Sequence, residues 1–253
     1  MNRTRLLRAS ALAALAPLWA FSPEATDRVS KTIPIADHTP IRIDATIADV
    51  TITGASRPDM TVTIVRRAPT AADLARFPAV VDDANGAVRI SATQAPDGKD
   101  AGKDPALKAE IVIAAPVSAV FQAIRVFEGR IRLTNVKGAC DVDLRRGPIE
   151  ATGLAGRIRL EAGIGSVDVK QSELTPGGMM RLRVFNGPVR VRFPARPQNA
   201  RILAVTLNGT LTSDIPLTMK DKFGPRFGET TLGTGDPVMS IDAVKGDIAI
   251  KVG

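Results

Sequence analysis

The chain of 253 residues has no tyrosine, one tryptophan, one histidine and one cysteine, and these shortages close off several classes of function. A triad or a histidine-ligated metal centre would have to be built on His38 alone. That residue stands in a polar stretch before Thr39 and Pro40, where a solvated linker is expected. With one thiol, Cys140, no intrachain disulfide is available, so an oxidising compartment would be tolerated rather than exploited. Aromatics make up 4% of the chain, which leaves few ring platforms for a sugar substrate and hands core filling to branched aliphatics. Acidic residues are outnumbered, 26 against 34 basic, for a net charge of +8. That excess raises nucleic acid, an anionic membrane surface and acidic polymers as partners. No apolar run spans a bilayer comfortably. The longest, residues 9–21, is broken only by Ser10 and Pro17 and follows Arg3, Arg5 and Arg8, the pattern of a secretory signal over residues 1–25. Ala20 and Ala25 are the candidate cleavage positions. Export argues against nucleic acid as a partner, leaves no transmembrane span in the mature chain, and places the protein in the periplasm or at the cell surface. No cysteine stands where a lipid anchor would be attached.

What the sequence does contain is a repeat. Glycine falls at positions 129, 138, 147, 156 and 165, a step of nine residues. Two positions after each glycine stand Ile131, Cys140, Ile149, Ile158 and Val167, and four positions after stand Leu133, Val142, Ala151, Leu160 and Val169. The positions between are mostly charged. Such alternation marks β-strands with one buried face, and short strands separated by glycine bends mark a solenoid. The fold class read from the sequence is all-β, a right-handed β-solenoid or β-helix-like stack of short strands, with Cys140 as a small buried hydrophobe. Charge chooses the coil length. A turn of 18 residues stacks Arg132 on Glu150 and Asp141 on Arg159, whereas a turn of 27 stacks the two Gly-Arg-Ile-Arg-Leu segments at 129–133 and 156–160 arginine on arginine, which facing strands disfavour. Turns of 18 to 22 residues are therefore expected. Asn186-Gly187 and Asn208-Gly209, 22 residues apart, fit the longer version.

Outside the repeat, residues 26–37 read as a linker and 38–253 as one domain, with N-terminal strands and a short helix over 38–107 and the regular repeat over 108–253. Strands are expected at 41–47, 50–52, 60–66, 79–81 and 87–92. A helix is expected at 70–77, where Thr70 and Asp73 form a capping box. The loop 97–105 holds Asp97, Asp100 and Asp104, but its spacing matches no calcium loop. Loops 193–199 and 216–237 are the natural places for function on a rigid scaffold.

These residues resemble a bacterial exported family of unknown function, described as adhesin or head-domain-like β-strand-repeat proteins. Ile41-Arg42-Ile43 through Asp49-Val50-Thr51-Ile52-Thr53-Gly54 is similar to the family's opening strands, and Gly165-Ser166-Val167-Asp168-Val169 to its middle. Ser213-Asp214-Ile215-Pro216-Leu217, Leu232-Gly233-Thr234-Gly235 and Ile241-Asp242-Ala243-Val244-Lys245-Gly246-Asp247-Ile248-Ala249-Ile250 are similar to its ending. Ala48 stands where the family usually has glycine and Lys245 where it usually has asparagine. The resemblance, over roughly residues 30–253, implies a β-solenoid exposed in the cell envelope and brings no catalytic residues with it.

Three functions follow. The leading expectation is a non-catalytic adhesin-like interaction or scaffold module that meets an envelope protein, or another copy of itself, through exposed end strands such as 247–252. The second is a binder of an anionic polysaccharide through the outward residues Arg130, Arg132, Arg157, Arg159, Arg181, Arg183, Arg190 and Arg192. The third is a β-helical polysaccharide lyase or hydrolase using carboxylates among Asp141, Asp143, Glu150, Glu161 and Asp168. No catalytic, metal or cofactor-binding residues are assigned, and no cofactor is expected.

Overall fold

The computed structural model describes residues 24–36, 38–93, 107–220 and 224–253. The expected signal segment 1–25 lies almost wholly outside the described residues, as does most of the acidic loop 97–105. The chain is all-β with one short helix. Its elements begin with β1 (Ala25–Pro34), β2 (Pro40–Ala55), β3 (Asp59–Ala68), α1 (Ala71–Arg76), β4 (Val80–Asp82), β5 (Val88–Ala92) and β6 (Lys108–Pro116). The central series is β7 (Val120–Glu128), β8 (Ile131–Thr134), β9 (Cys140–Arg146), β10 (Ile149–Thr152), β11 (Arg157–Ile164), β12 (Val167–Lys170), β13 (Met179–Asn186) and β14 (Val189–Phe193). It ends with β15 (Ala200–Asn208), β16 (Leu211–Ser213), β17 (Thr218–Lys220), β18 (Arg226–Leu232), β19 (Val238–Lys245) and β20 (Ile248–Val252).

Strand pairing sorts these into two ladders bridged by β2, whose first half belongs to one and second half to the other. The first ladder runs β1, β3, β6, β2, β8, β10, β12, β14, β20, β16. The second runs β4, β5, β2, β7, β9, β11, β13, β19, β15, β18, β17. All contacts from β2 to β16 in the first ladder, and from β5 to β15 in the second, are parallel. Each rung consists of a second-ladder strand, a glycine corner and a first-ladder strand. Facing residues are 18 apart through β8, β10 and β12 and 22 apart from β12 to β14, as in Ile131, Ile149, Val167 and Val189.

The period-2 pattern of apolar residues explains the core. Ile131, Ile149 and Val167 of the first ladder and Val142, Ile158 and Leu160 of the second are all buried within one hydrophobic cluster. Each buried aliphatic side chain contributes about 1.5–3 kcal/mol through removal from water. The corners need glycine for a steric reason. A β-carbon at Gly165, where φ is +155°, would lie 1.9 Å from the carbonyl oxygen of Gly147 on the next rung, and the same backbone approach recurs along the stack.

One end is covered by antiparallel strands and α1. Thr70 caps α1, accepting from the Asp73 amide at 3.2 Å while Asp73 accepts from the Thr70 amide at 3.1 Å. Leu74 and Phe77 pack with Ala68 and Leu107 in a small satellite core. Arg66, 4% exposed, ties this end together by pairing with Asp27 and donating to the carbonyls of Leu74 and Phe77.

The structure corrects four expectations. The linker placed over 26–37 is largely strand β1, which is paired along its length with β3. The loop placed over 216–237 contains β17 and β18, an antiparallel pair. The 22-residue step between Asn186-Gly187 and Asn208-Gly209 is not a stacking step, because Lys245 of β19 lies between Asn186 and Asn208. The stretch 247–252 is no exposed end, since β20 is flanked by β14 and β16. After β14 the chain passes over one rung position, lays down β15 and β16 beyond it, and returns to fill the gap with β19 and β20. Among the described residues, the ladder ends are β1 and β4 on one side and β16 and β17 on the other.

Candidate functional site

The eight outward arginines do not form one surface. Arg130, Arg132, Arg190 and Arg192 are on or beside first-ladder strands, while Arg157, Arg159, Arg181 and Arg183 are on the second. Stacking places acids beside most of them. Arg132 donates to Glu150 at 3.1 Å, Arg159 to Asp141 at 3.0 Å and to Glu161 at 2.6 Å, and Arg190 to Asp168 at 3.2 Å. Arg130 lies 3.6 Å from Glu150, and Arg183 4.0 Å from Glu161. Such solvent-facing pairs are each worth roughly 0–1 kcal/mol and mainly fix side-chain positions. Arg157, Arg181 and Arg192 have no acidic partner among the described residues. The carboxylates weighed for sugar cleavage are divided in the same way, with Glu150 and Asp168 on the first ladder and Asp141, Asp143 and Glu161 on the second, each beside an arginine. His38 is exposed in the turn before β2.

Three hollows break the surface. On the second ladder an extra residue in β7 shifts its register against both β2 and β9. Beside this bulge lies a groove of about 380 Å³ bordered by Gln122, Asp141, Arg157, Arg159, Met179 and Arg181. Cys140 is buried under it; burial, and secondarily the charge of Asp141, pushes its thiol up to about 12, so it is protonated and unreactive at neutral pH. On the first ladder a depression of about 90 Å³ lies among Asp168, Lys170, Arg190, Arg192, Ala249 and Lys251. The largest hollow, about 620 Å³, joins the segment around Leu174 to the two expected functional loops, with Pro194, Pro197, Asn199, Asp236 and Pro237 on its walls. Both loops cross the rung position that β14 leaves to β19 and β20, and this shared duty brings them together. Asn199 accepts from the Thr234 amide at 3.0 Å and Asp236 from the Gly177 amide at 2.7 Å, so these polar groups hold the walls in place.

The corners carry a feature that the alternation pattern does not reveal. Phe127, Ile164, Phe185 and Leu207 are 47%, 53%, 60% and 47% exposed, and each stands one or two positions before a corner glycine, in β7, β11, β13 and β15. The neighbouring rungs add Arg145, Arg146 and Lys245 at the same level. Arg146 lies over the Phe127 ring at 5.5 Å. The result is an apolar ridge with cations interspersed along the edge where the second ladder turns into the first. The sequence signal was a large apolar residue just before the glycine, in a position that alternation assigns to solvent.

Among the described residues no helix is long and apolar enough to cross a membrane, and no three metal-ligating side chains are grouped. No known family profile and no curated protein sequence matches the chain. Among solved structures it is similar to a proposed cell adhesion protein of Clostridium sporogenes, with 12% identity and a TM-score of 0.50 over 90% of this chain and all of the other. It is also similar to a proposed adhesin of Bacteroides fragilis, with 13% identity and a TM-score of 0.39 over 90% of this chain and 97% of the other. A proposed adhesin of Parabacteroides merdae gives 10% identity and a TM-score of 0.39 over 89% and 96%. At these identities the likeness, carried by the first of the three, is one of fold.

Proposed function

We propose that the protein is an exported, non-catalytic, adhesin-like interaction module of the cell envelope: a signal over residues 1–25, then a single right-handed β-solenoid whose side presents a contact edge to a second envelope protein. The observation that carries this reading is the ridge of Phe127, Ile164, Phe185 and Leu207, because large apolar side chains aligned on a rigid edge mark surfaces that meet a partner. The fold shared with proposed adhesins supports it. A photo-crosslinking residue at Phe185, in cells that express the protein, should trap one discrete envelope protein, whereas the same residue at Thr53 on the first ladder should not. Equal trapping at both positions, or none, would remove the ridge from the argument. N-terminal sequencing of the envelope fraction should begin between residues 21 and 26, and an intact Met1 there would remove export.

A second reading, binding of an anionic polymer, is favoured by Arg157 and Arg181, which lack acidic partners beside the second-ladder groove. The change of Arg157 and Arg159 to serine should then abolish a salt-sensitive association with isolated envelope polysaccharide.

A further inference from the structure

Down the first ladder, the outward positions obey a rule of charge neighbours except in one place. The inner column reads Arg132, Glu150, Asp168, Arg190, Ala249 and Thr212 on successive rungs, and its arginines bond to acids on the next strand. The column two residues further along each strand reads Thr53, Thr134, Thr152, Lys170, Arg192 and Lys251. Three neutral rungs are followed by three cationic ones, about 4.8 Å apart. Like charges placed directly opposite each other in a ladder disfavour the fold. Lys251 has Asp214 at 3.0 Å, but Lys170 and Arg192 have no acidic partner among the described residues. The nearest acid in the adjoining column, Asp168, is already held by Arg190 at 3.2 Å and Ser166 at 2.9 Å. Ala249 stands beside Arg190 where a longer side chain would fill the surface, and this leaves the depression of about 90 Å³, room for roughly three waters' volume.

A local rule broken without internal compensation points to an external one. We propose that Lys170, Arg192 and Lys251 form a binding site for a tetrahedral oxyanion, a phosphate or sulfate ester carried on an extended glycan or similar polymer, with Arg190 at its border. The guanidinium of Arg192 takes two oxygens of the group, and the lysines on the rungs above and below reach it on flexible stems. A dianion neutralises the central repulsion, which a single carboxylate would do only in part. The site rests on the anionic-polymer reading but occupies the opposite ladder from Arg157 and Arg181, so the two can fail separately.

The test is a titration of the full exported protein with polyphosphate, dextran sulfate, uncharged dextran and inorganic phosphate, at 50 and 500 mM NaCl. Polyphosphate or dextran sulfate should bind at low salt and weaken steeply at high salt, and uncharged dextran should not bind. Preference for the polymers over inorganic phosphate assigns the site to a polymer-borne group; inorganic phosphate binding as well as either polymer overturns the polymer assignment. Arg192→Thr, and separately Lys170→Thr, should lower polymer affinity about tenfold, while Arg157→Ser with Arg181→Ser should leave it unchanged. The reverse pattern would move the polymer to the other ladder and overturn this site alone; no polymer binding by the unaltered protein would overturn both. Arg192→Thr provides a readout independent of ligand. Relief of repulsion should raise Tm by about 1 °C at 50 mM NaCl and have no effect at 500 mM. A lower Tm at both salts would show that the column is not in conflict and would overturn the premise.

Discussion

Between β7 and β14 the order of strands in the stack is the order of strands in the chain; between β15 and β20 it is not. In the first region each rung rests on the rung made just before it, at steps of 18 and then 22 residues. In the second, β19 and β20 come later in the chain than β15 and β16 but lie beneath them. Both regions have buried aliphatics inside and glycine corners. The central rungs are held by neighbours in sequence, whereas β15 and β16 are held to the stack by strands that follow them.

The sharpest way to break this comparison is to end the chain after Pro237. Without β19 and β20, β13 and β14 lose their partners on one side and β15 and β16 lose theirs. Hydrogen exchange should then show β15 to β18 unprotected while β7 to β12 stay protected. Protection of β15 would mean that it can pair directly with β13. The next largest effect belongs to the corners. Gly165→Ala puts a β-carbon 1.9 Å from the Gly147 carbonyl oxygen at φ +155° and should cost about 3 kcal/mol or more in urea unfolding. Gly177→Ala, at φ +70° with nothing within 4 Å, should cost about 1 kcal/mol. Gly209→Ala, 2.1 Å from the Gly246 oxygen, should loosen the last rungs and spare the central ones.

The smallest effect is the acid response of the late rungs. The Lys251 ammonium, and after it the Val252 amide, hold the Asp214 carboxyl below its ordinary value. The Thr210 amide and hydroxyl do the same for Asp247. A depressed folded-state value means that the stability from these contacts is present above the ordinary carboxylate range and is lost as pH falls through the depressed values. Exchange at β16 and β20 should therefore rise below about pH 4, before exchange at β8 and β10. Asp247→Asn should reproduce part of that rise at neutral pH.

The central rungs were legible in the sequence because nine-residue spacing and alternation report local geometry, and there the local neighbours are also the stacked ones. The pairings of Arg132 with Glu150 and Asp141 with Arg159 could be read for the same reason. The facing of Arg192 and Lys251, 59 residues apart, could not, because nothing in the spacing says that β20 returns to the gap above β14. Lys170 and Lys251 were missed as partners of Arg192 on that account. Strand β1 was hidden by a polar outward face, Thr26, Arg28, Ser30 and Thr32 alternating with residues that pack on β3. The exposed apolar corners were hidden by the assumption that large aliphatic and aromatic residues mark the interior.

The late return of β19 and β20 also sets a schedule for assembly. A chain emerging from its amino-terminal side can stack rung upon rung only as far as β14. There it must leave β15 and β16 waiting until the segment that joins them to the growing column has been delivered. Such a chain completes itself by closure rather than by simple elongation, and it can cross a membrane with its carboxyl-terminal third still unlocked.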